Sequence, residues 1–262
     1  MYAKAALTLI PRSRPAELPG VALSREVAVD PAHLAAYQRV CGFRTSDRLP
    51  ATYPHVLGFE LAMGVMTRAD FPFPVVGLVH IANRIEQERA LTTDDRLTLT
   101  AHAEGLRDHP RGTQFDLVTT AEAGGTPVWR DVSTYLRITR AGDSSRESPE
   151  PPVPHAIWRV GPEVGTAYAR VSGDRNPIHT SLIGARLFGF KRPIAHGMWS
   201  KARCLAALEG RLPGDRLTVD VSFKLPIYLP AKVGFAYTAG EFRLFDARTG
   251  KPHLSGAIPV TR

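Results

Sequence analysis

The feature that most constrains this chain is that it repeats itself. Tyr37 to Gly42 (YQRVCG) matches Tyr168 to Gly173 (YARVSG), an offset of 131 residues. Pro54 to Leu57 (PHVL) then resembles Ala195 to Met198 (AHGM), each opening an apolar stretch. Val79 to Ile85 stands against Val219 to Leu225, and Gly125-Thr126-Pro127 against Gly250-Lys251-Pro252. The matches keep the same order in both halves, so a single supersecondary plan is used twice. Between the halves runs RAGDSSRESPEPPVP, Arg140 to Pro154, which has no apolar period and four prolines, at 149, 151, 152 and 154. Such a stretch reads as an extended linker. The expected division is a first repeat over 1–139, a linker over 140–154 and a second repeat over 155–262.

The second repeat reveals the plan more openly. Leu217, Val219, Val221, Phe223 and Leu225 alternate with polar residues, and Val233, Phe235, Tyr237 and Ala239 do the same. Period-2 alternation predicts half-buried strands. Two more strands are expected over 241–245 and 254–260, joined by a turn at 246–252. Ahead of them, Ile194, Met198, Ala202, Leu205 and Leu208 follow helical spacing. Pro193 suits the first turn of that helix and Gly210 its end. The first repeat predicts a helix from about Pro54 to Thr67, then strands near 78–88, 97–106, 113–123 and 127–138. One long helix followed by an antiparallel sheet is an α+β arrangement. Two copies could pair their sheets edge to edge and so remove two exposed edges.

Composition narrows the classes. Hydrophobic residues make up 44% of the 262 and charged residues 22%, which is ordinary for a globular protein. Cys41 and Cys204 form no metal or redox spacing and are expected to be free thiols. No segment approaches the ~20 apolar residues that a membrane helix requires. The short run Ala5 to Ile10 ends at Pro11 and makes a poor secretory signal, so a cytoplasmic protein with no membrane partner is expected. The net charge of +8 raises the question of nucleic acid. No Lys/Arg run or RNA-binding signature accompanies it, so no nucleic-acid partner is expected. Positive charge also suits a phosphate-bearing ligand.

The chemistry concentrates in residues 168–198, YARVSGDRNPIHTSLIGARLFGFKRPIAHGM. Gly173 permits a tight turn, and Pro177 pushes Asn176 towards an extended conformation. Asp174 to His179 is therefore expected to be a fixed, irregular loop that turns a carboxylate and an imidazole towards one point. A carboxylate and a neutral imidazole sharing one water can take a proton from it and return a proton elsewhere. That suits reversible hydration of a conjugated thioester, in which negative charge builds on the thioester oxygen. Gly197, at a positive helix end and without a side chain, could offer its amide to that oxygen.

The run Y-x-x-V-S-G-D-x-N-P-I-H, followed by A-x-x-x-G-F and I-A-H-G-M, resembles the signature of the MaoC-like, or hydratase 2, family of (R)-specific enoyl-CoA hydratases. The whole chain is similar to its two-repeat members, 3-hydroxyacyl-thioester dehydratases of mycobacterial type. TYPHVLGF and FPFPVVGLVHIANRIEQERAL in the first repeat support that closer match. The resemblance implies a double hotdog fold and a hydro-lyase that interconverts trans-2-enoyl and (R)-3-hydroxyacyl thioesters in fatty acid metabolism. By position it implies Asp174 and His179 as the catalytic pair, Asn176 as a holder of the loop and the water, and Gly197 as the oxyanion amide. It implies no cofactor and no metal, with acyl-CoA or an acyl carrier protein thioester as partner and a homodimer as a possible assembly. Phe43 stands where a first-repeat Asp would be and no His follows, so that repeat is expected to be catalytically degenerate, shaping the acyl tunnel instead.

Blander readings stand beside these. His196 suits packing or helix-start hydrogen bonding, and His55, its counterpart in the first repeat, suits the same. Lys191, Arg192, Arg203, Arg84, Arg107 and Arg111 could meet coenzyme A phosphates, or be solvated charges. Two rival functions remain, an acyl-thioesterase of hotdog fold and a non-catalytic acyl-CoA binding protein.

Overall fold

The computed structural model describes residues 13–140, 150–212 and 215–259. The first repeat runs β1 (Ala22–Ala28), α1 (Pro31–Cys41), α2 (Tyr53–Met66), β2 (Leu78–Gln87), β3 (Arg96–His109), β4 (Gly112–Ala123) and β5 (Thr126–Ile138). The second runs β6 (Ala156–Val160), α3 (Val164–Ser172), α4 (Pro177–Thr180), α5 (Leu182–Leu187), α6 (Gly197–Ala207), β7 (Leu217–Phe223), β8 (Ala231–Thr238), β9 (Glu241–Asp246) and β10 (Pro252–Ala257). Residues 141–149, most of the expected linker, lie outside the described residues.

The strands form one sheet in the order β1-β3-β4-β5-β2-β7-β10-β9-β8-β6, antiparallel throughout. Read outward from the β2–β7 seam, the two sides have the same order, as a pseudo-two-fold axis requires. The seam pairs Ala82 with Ser222 and Ile85 with Val219. These are the two stretches whose likeness was visible in the sequence, and their pairing covers one edge of each repeat. The result is the expected double hotdog, with α2 and α6 as the two long wrapped helices.

The repeated Y-x-R-V-x-G motif proves to be a helix C-terminus. Gly42 and Gly173 cap α1 and α3 with φ of 82° and 75°, a left-handed conformation that favours glycine. The cap N–H donates to Gln38 O in one case and to Ala169 O in the other. Tyr37 and Tyr168, at matching places, meet with ring centroids 6.2 Å apart. Both are buried in a core cluster that spans the two repeats and includes Tyr53, Trp129 and Trp199. A second cluster, with Met63, Phe71 and Phe115, fills the space under the far end of α2. Burying each such side chain contributes roughly 1.5–3 kcal/mol.

One helix start lies four residues from expectation. The helix predicted from Pro193 begins at Gly197, with His196 at its N-cap. Residues 193–195 are extended instead: Ile194 bridges to Tyr228, and the Ala195 N–H donates to Ile227 O at 2.9 Å. Apolar spacing at Ile194 reported burial against the sheet, not helix. The elements β1, α1, β6 and α3 had no period strong enough to predict them.

Candidate active site

The site grows from the end of α3. After Gly173 reverses the chain, side chains fix the next residues. The Asp174 N–H donates to Ser172 Oγ at 3.2 Å, and Asp174 Oδ1 accepts from the Asn176 N–H at 3.2 Å. Asn176 Oδ1 accepts from the Ile178 N–H at 3.3 Å, capping α4, and Pro177 occupies its first position. The irregular loop expected over Asp174 to His179 therefore covers only 174–176. Residues 177–180 form one helical turn, because an Asn cap followed by Pro is a strong helix start. Gly165 in α3 lies against the other side of this turn, where a Cβ would collide with the His179 carbonyl.

His179 is nearly buried, and its Nδ1–H donates to Ile194 O at 2.7 Å. That bond leaves Nε2 as the unprotonated nitrogen. Burial pushes the His179 pKa below its ordinary value, against the pull of the Asp174 charge and of the Ile194 bond. His196 stacks on His179 with centroids 3.6 Å apart and planes at 25°. Its Nε2–H donates to Asp174 O at 2.9 Å, and its pKa is pushed down to about 3, by burial and then by His179. His196 thus fixes Asp174 through its main chain; this is the packing role expected of it, applied to the site itself. Nitrogen or oxygen atoms of Asp174, His179 and His196 all lie within 4.8 Å of one another. Such a set could in principle ligate a metal, but the two imidazoles are stacked nearly parallel, so their lone pairs do not converge on one ion.

Gly197 is the first residue of α6, where backbone amides have no partner within the helix. A Cβ there would stand 3.1 Å from the Phe223 ring. Asp174, Asn176, His179 and Gly197 all line one cavity of about 270 Å³. Every site residue expected from the sequence is therefore brought to one place.

Sequence reasoning expected the first repeat to shape the tunnel but did not foresee its polar lining. The first repeat contributes His55, His80 and Tyr135 to the same cavity. His55 Nδ1–H donates to Asp131 Oδ2 at 3.1 Å, and Asp131 also accepts from Asn83 Nδ2 at 2.7 Å and Ser133 Oγ at 2.8 Å. Lys201 of α6, with no exposed surface, donates to Asn83 Oδ1 at 2.6 Å, Asn83 O at 3.3 Å and Val219 O at 3.0 Å. Burial tends to raise the Asp131 pKa, yet His55, Asn83 and Lys201 together hold it below the usual carboxylate range. His55 is not an N-cap like His196; it is the third residue of α2 and part of a buried polar chain. Its signal in the sequence was HIANRI, whose Asn83 falls on the same period-2 face as Ile85 and so places a polar group on the buried side of the strand.

Several basic residues are engaged elsewhere. Arg84 pairs with Glu86 and Asp220, Arg107 with Asp116, and the Arg203 guanidinium stacks 4.3 Å above Trp158. No helix among the described residues is long and apolar enough to cross a membrane.

Comparison with known proteins agrees with this architecture. The profile of the MaoC like domain matches residues 144–250. The chain is 38% identical over 267 residues to 3-hydroxyacyl-thioester dehydratase X of Mycobacterium tuberculosis, covering 98% of this chain and 94% of that protein. It is 36% identical over 97 residues to the (R)-specific enoyl-CoA hydratase of Aeromonas caviae, covering 36% of this chain and 69% of that one. The crystal structure of HtdX of Mycobacterium tuberculosis superposes with a TM-score of 0.81 at 37% identity, over 91% of this chain and 99% of that chain.

Proposed function

This chain belongs to the MaoC-like family, and on that premise we propose that it is a hydro-lyase acting on acyl thioesters in fatty acid metabolism. The reaction is reversible hydration of a trans-2-enoyl thioester to the (R)-3-hydroxyacyl thioester, carried on coenzyme A or an acyl carrier protein. The observation that carries this reading is the junction of Asp174, His179 and the Gly197 amide on one cavity wall.

In the forward direction a water is held between Asp174 and His179 Nε2. His179 takes one proton from it as the water oxygen bonds to Cβ, and the C=C electron pair moves to Cα and the thioester oxygen. The Gly197 amide faces the oxygen that gains charge, with the positive end of α6 behind it. The proton then passes to Cα, so the atoms of one water are added and His179 returns to neutral. The Asp174 carboxylate orients the water and stabilises the transient imidazolium. His179 suits this task because burial keeps it a neutral base at pH 7. Asn176 holds the turn that carries both groups.

We assign the first repeat, residues 1–139, a non-catalytic role as the far wall of the acyl tunnel, with 140–154 as linker and 155–262 as the catalytic repeat. The test is loss of the conjugated absorbance of trans-2-enoyl-CoA substrates, with Asp174→Asn and His179→Ala alongside. Loss without thiol release, reduced roughly 10²–10⁴-fold by either change, supports the reading. Thiol release would make the protein a thioesterase instead.

A further inference from the structure

The chain between His179 and Gly197 turns an apolar surface outward beside the cavity. α5 begins three residues after His179 and is held from behind. Ala185 is fully buried, Gly184 packs so closely on Pro177 that a Cβ would collide with it, and the Phe190 N–H returns to Ala185 O at 2.9 Å. The outer face is uncovered among the described residues. Ile183 is 81% and Leu187 80% exposed, one helical turn apart, with Leu182 and Phe188 exposed beside them. Four of the nine large hydrophobic side chains exposed among the described residues thus fall within residues 182–188. Two more, Val79 and Leu225, line the cavity itself. Scattered exposed apolar residues need no explanation, but a contiguous group beside a binding cavity marks a contact surface.

Charge says what kind of partner fits. Arg186 lies on α5, Lys191 and Arg192 follow Phe190 of the cavity wall, and Lys224 lines the cavity. All four are exposed, and none forms an ion pair with a described residue. No Asp or Glu stands between Asn176 and Leu208. The segment therefore offers apolar side chains and cations alone, the complement of an apolar face ringed by carboxylates. A second copy of this chain does not fit, because an isologous contact would set these cations against themselves. The nucleotide of coenzyme A meets the cations with its phosphates, but it covers little of a face built from four apolar side chains.

We propose that α5, with Arg186, Lys191, Arg192 and Lys224, is the docking surface for an acidic acyl carrier protein. An apolar helix face of the carrier meets Ile183 and Leu187, and its carboxylates meet the cations. This rests on the assignment of the cavity as an acyl-thioester site and deepens it by naming the carrier. A thioester borne on a protein reaches the cavity on a phosphopantetheine arm, so the carrier itself must sit at the mouth. Phe190, Lys224 and Leu225 line that cavity, and α5 adjoins them. An anionic lipid surface also suits cations mixed with apolar side chains. A bilayer, however, delivers nothing to the thioester site beside the patch, and a carrier protein does.

The experiment uses the full-length protein and one trans-2-octenoyl chain on three carriers: pantetheine, coenzyme A and a bacterial acyl carrier protein of net negative charge. At low salt, kcat/KM is expected to favour the carrier-protein thioester over the pantetheine thioester by about tenfold or more. That advantage should shrink as salt screens the charges. Ile183→Ser combined with Leu187→Ser should lower kcat/KM for the carrier-protein substrate by about tenfold, and for the other two much less. Arg186→Glu combined with Lys191→Glu should lower the carrier-protein rate similarly and flatten its salt dependence. All four positions are exposed, and a thermal melt checks that each variant folds. No advantage of the carrier protein over pantetheine overturns the proposal. So does a loss from Ile183→Ser with Leu187→Ser that is equal on all three substrates. Binding to phosphatidylglycerol vesicles that the same pair of changes abolishes, with the carrier-protein rate untouched, makes the patch a lipid surface and likewise overturns it. Should no substrate be hydrated, the hydro-lyase assignment fails. Calorimetric titration with the acylated carrier protein then decides the docking surface separately. Absence of binding, or binding indifferent to both pairs of changes, overturns it.

Discussion

Lys201 Nζ stands 2.6 Å from Asn83 Oδ1, which ties the helix that begins at Gly197 to a strand of the other repeat. The ammonium touches no carboxylate directly; its partners are one amide oxygen and two main-chain carbonyls. Lys201→Met leaves those acceptors buried without a donor, and is expected to cost roughly 2–4 kcal/mol in urea unfolding. An unchanged midpoint would show that the seam holds without this tie.

The same lysine gives the protein an alkaline signature. Burial pushes its pKa down to about 7, with Asp131 and Asp220 pulling the other way. Between that value and the ordinary lysine range, the unfolded chain binds more protons than the folded one. Stability from this group therefore rises with pH above 7, by up to about 1.4 kcal/mol per pH unit. The clean window is pH 7 to 8.5, before the buried thiols of Cys41 and Cys204, whose pKa values burial raises, begin to oppose it. Wild type should gain stability across that window relative to Lys201→Met; parallel curves would refute the assignment.

Acid has the converse effect through histidine. His80 and His196 are both pushed down to about 3, first by burial and then by a neighbouring imidazole. In the unfolded chain each takes a proton near pH 6.5. Stability is thus full above pH 6.5 and is lost as pH falls towards 3, by several kcal/mol in all between pH 7 and 4. His80→Phe should make the loss shallower, as read from unfolding midpoints at pH 7, 5 and 4.

Gly165→Ala sets two effects of opposite sign against each other. Alanine is worth about 1 kcal/mol over glycine in a helix interior, and less at Gly165, the second residue of α3. The new Cβ, however, would collide with the His179 carbonyl, a main-chain atom in a turn held by Asn176 and Pro177. Overpacking of that kind costs about 1–3 kcal/mol, and relief by moving His179 would cost activity as well. We expect a net loss of stability and at least a tenfold fall in kcat. A gain of stability with activity intact would mean that the turn yields easily.

Gly197→Ala tests the proposed oxyanion amide more gently. The added methyl would sit 3.1 Å from the Phe223 ring and displace the start of α6 by a few tenths of an ångström. A fall in kcat of roughly 10- to 100-fold with little change in KM is expected, below the cost of deleting a donor outright. An equal fall in binding and turnover would point to a blocked cavity instead.

Most of the fold was legible because its strands alternate and its halves repeat. The strand boundaries of the first repeat fall within three residues of those predicted, and α2 within one. What escaped was either too short or set by tertiary contact. α4 is four residues long and exists because Asn176 caps it, and β1 is an edge strand whose exposed pattern carries no period. The groups from residues 168–198 that meet at the site were readable because they lie on one motif. The polar wall was not. His55, Asn83, Asp131 and Lys201 come from four separate elements, and nothing in a linear sequence announces that they will touch. His55 was read as the counterpart of His196, yet the two hold different helix positions and different partners, so likeness of sequence between repeats did not carry likeness of role.

The seam between β2 and β7 has one more consequence. A cavity whose two walls came from separate single-repeat subunits would come apart on dilution, and its activity per milligram would fall below the dissociation constant of the pair. Here both walls belong to one chain, so each wall always finds the other at the effective concentration that the covalent link sets. The joined chain also frees its halves from having to be alike. A symmetric pair must build two reactive centres or none, whereas this chain can keep the proposed pair, Asp174 and His179, on one side and Phe43 with a polar wall on the other.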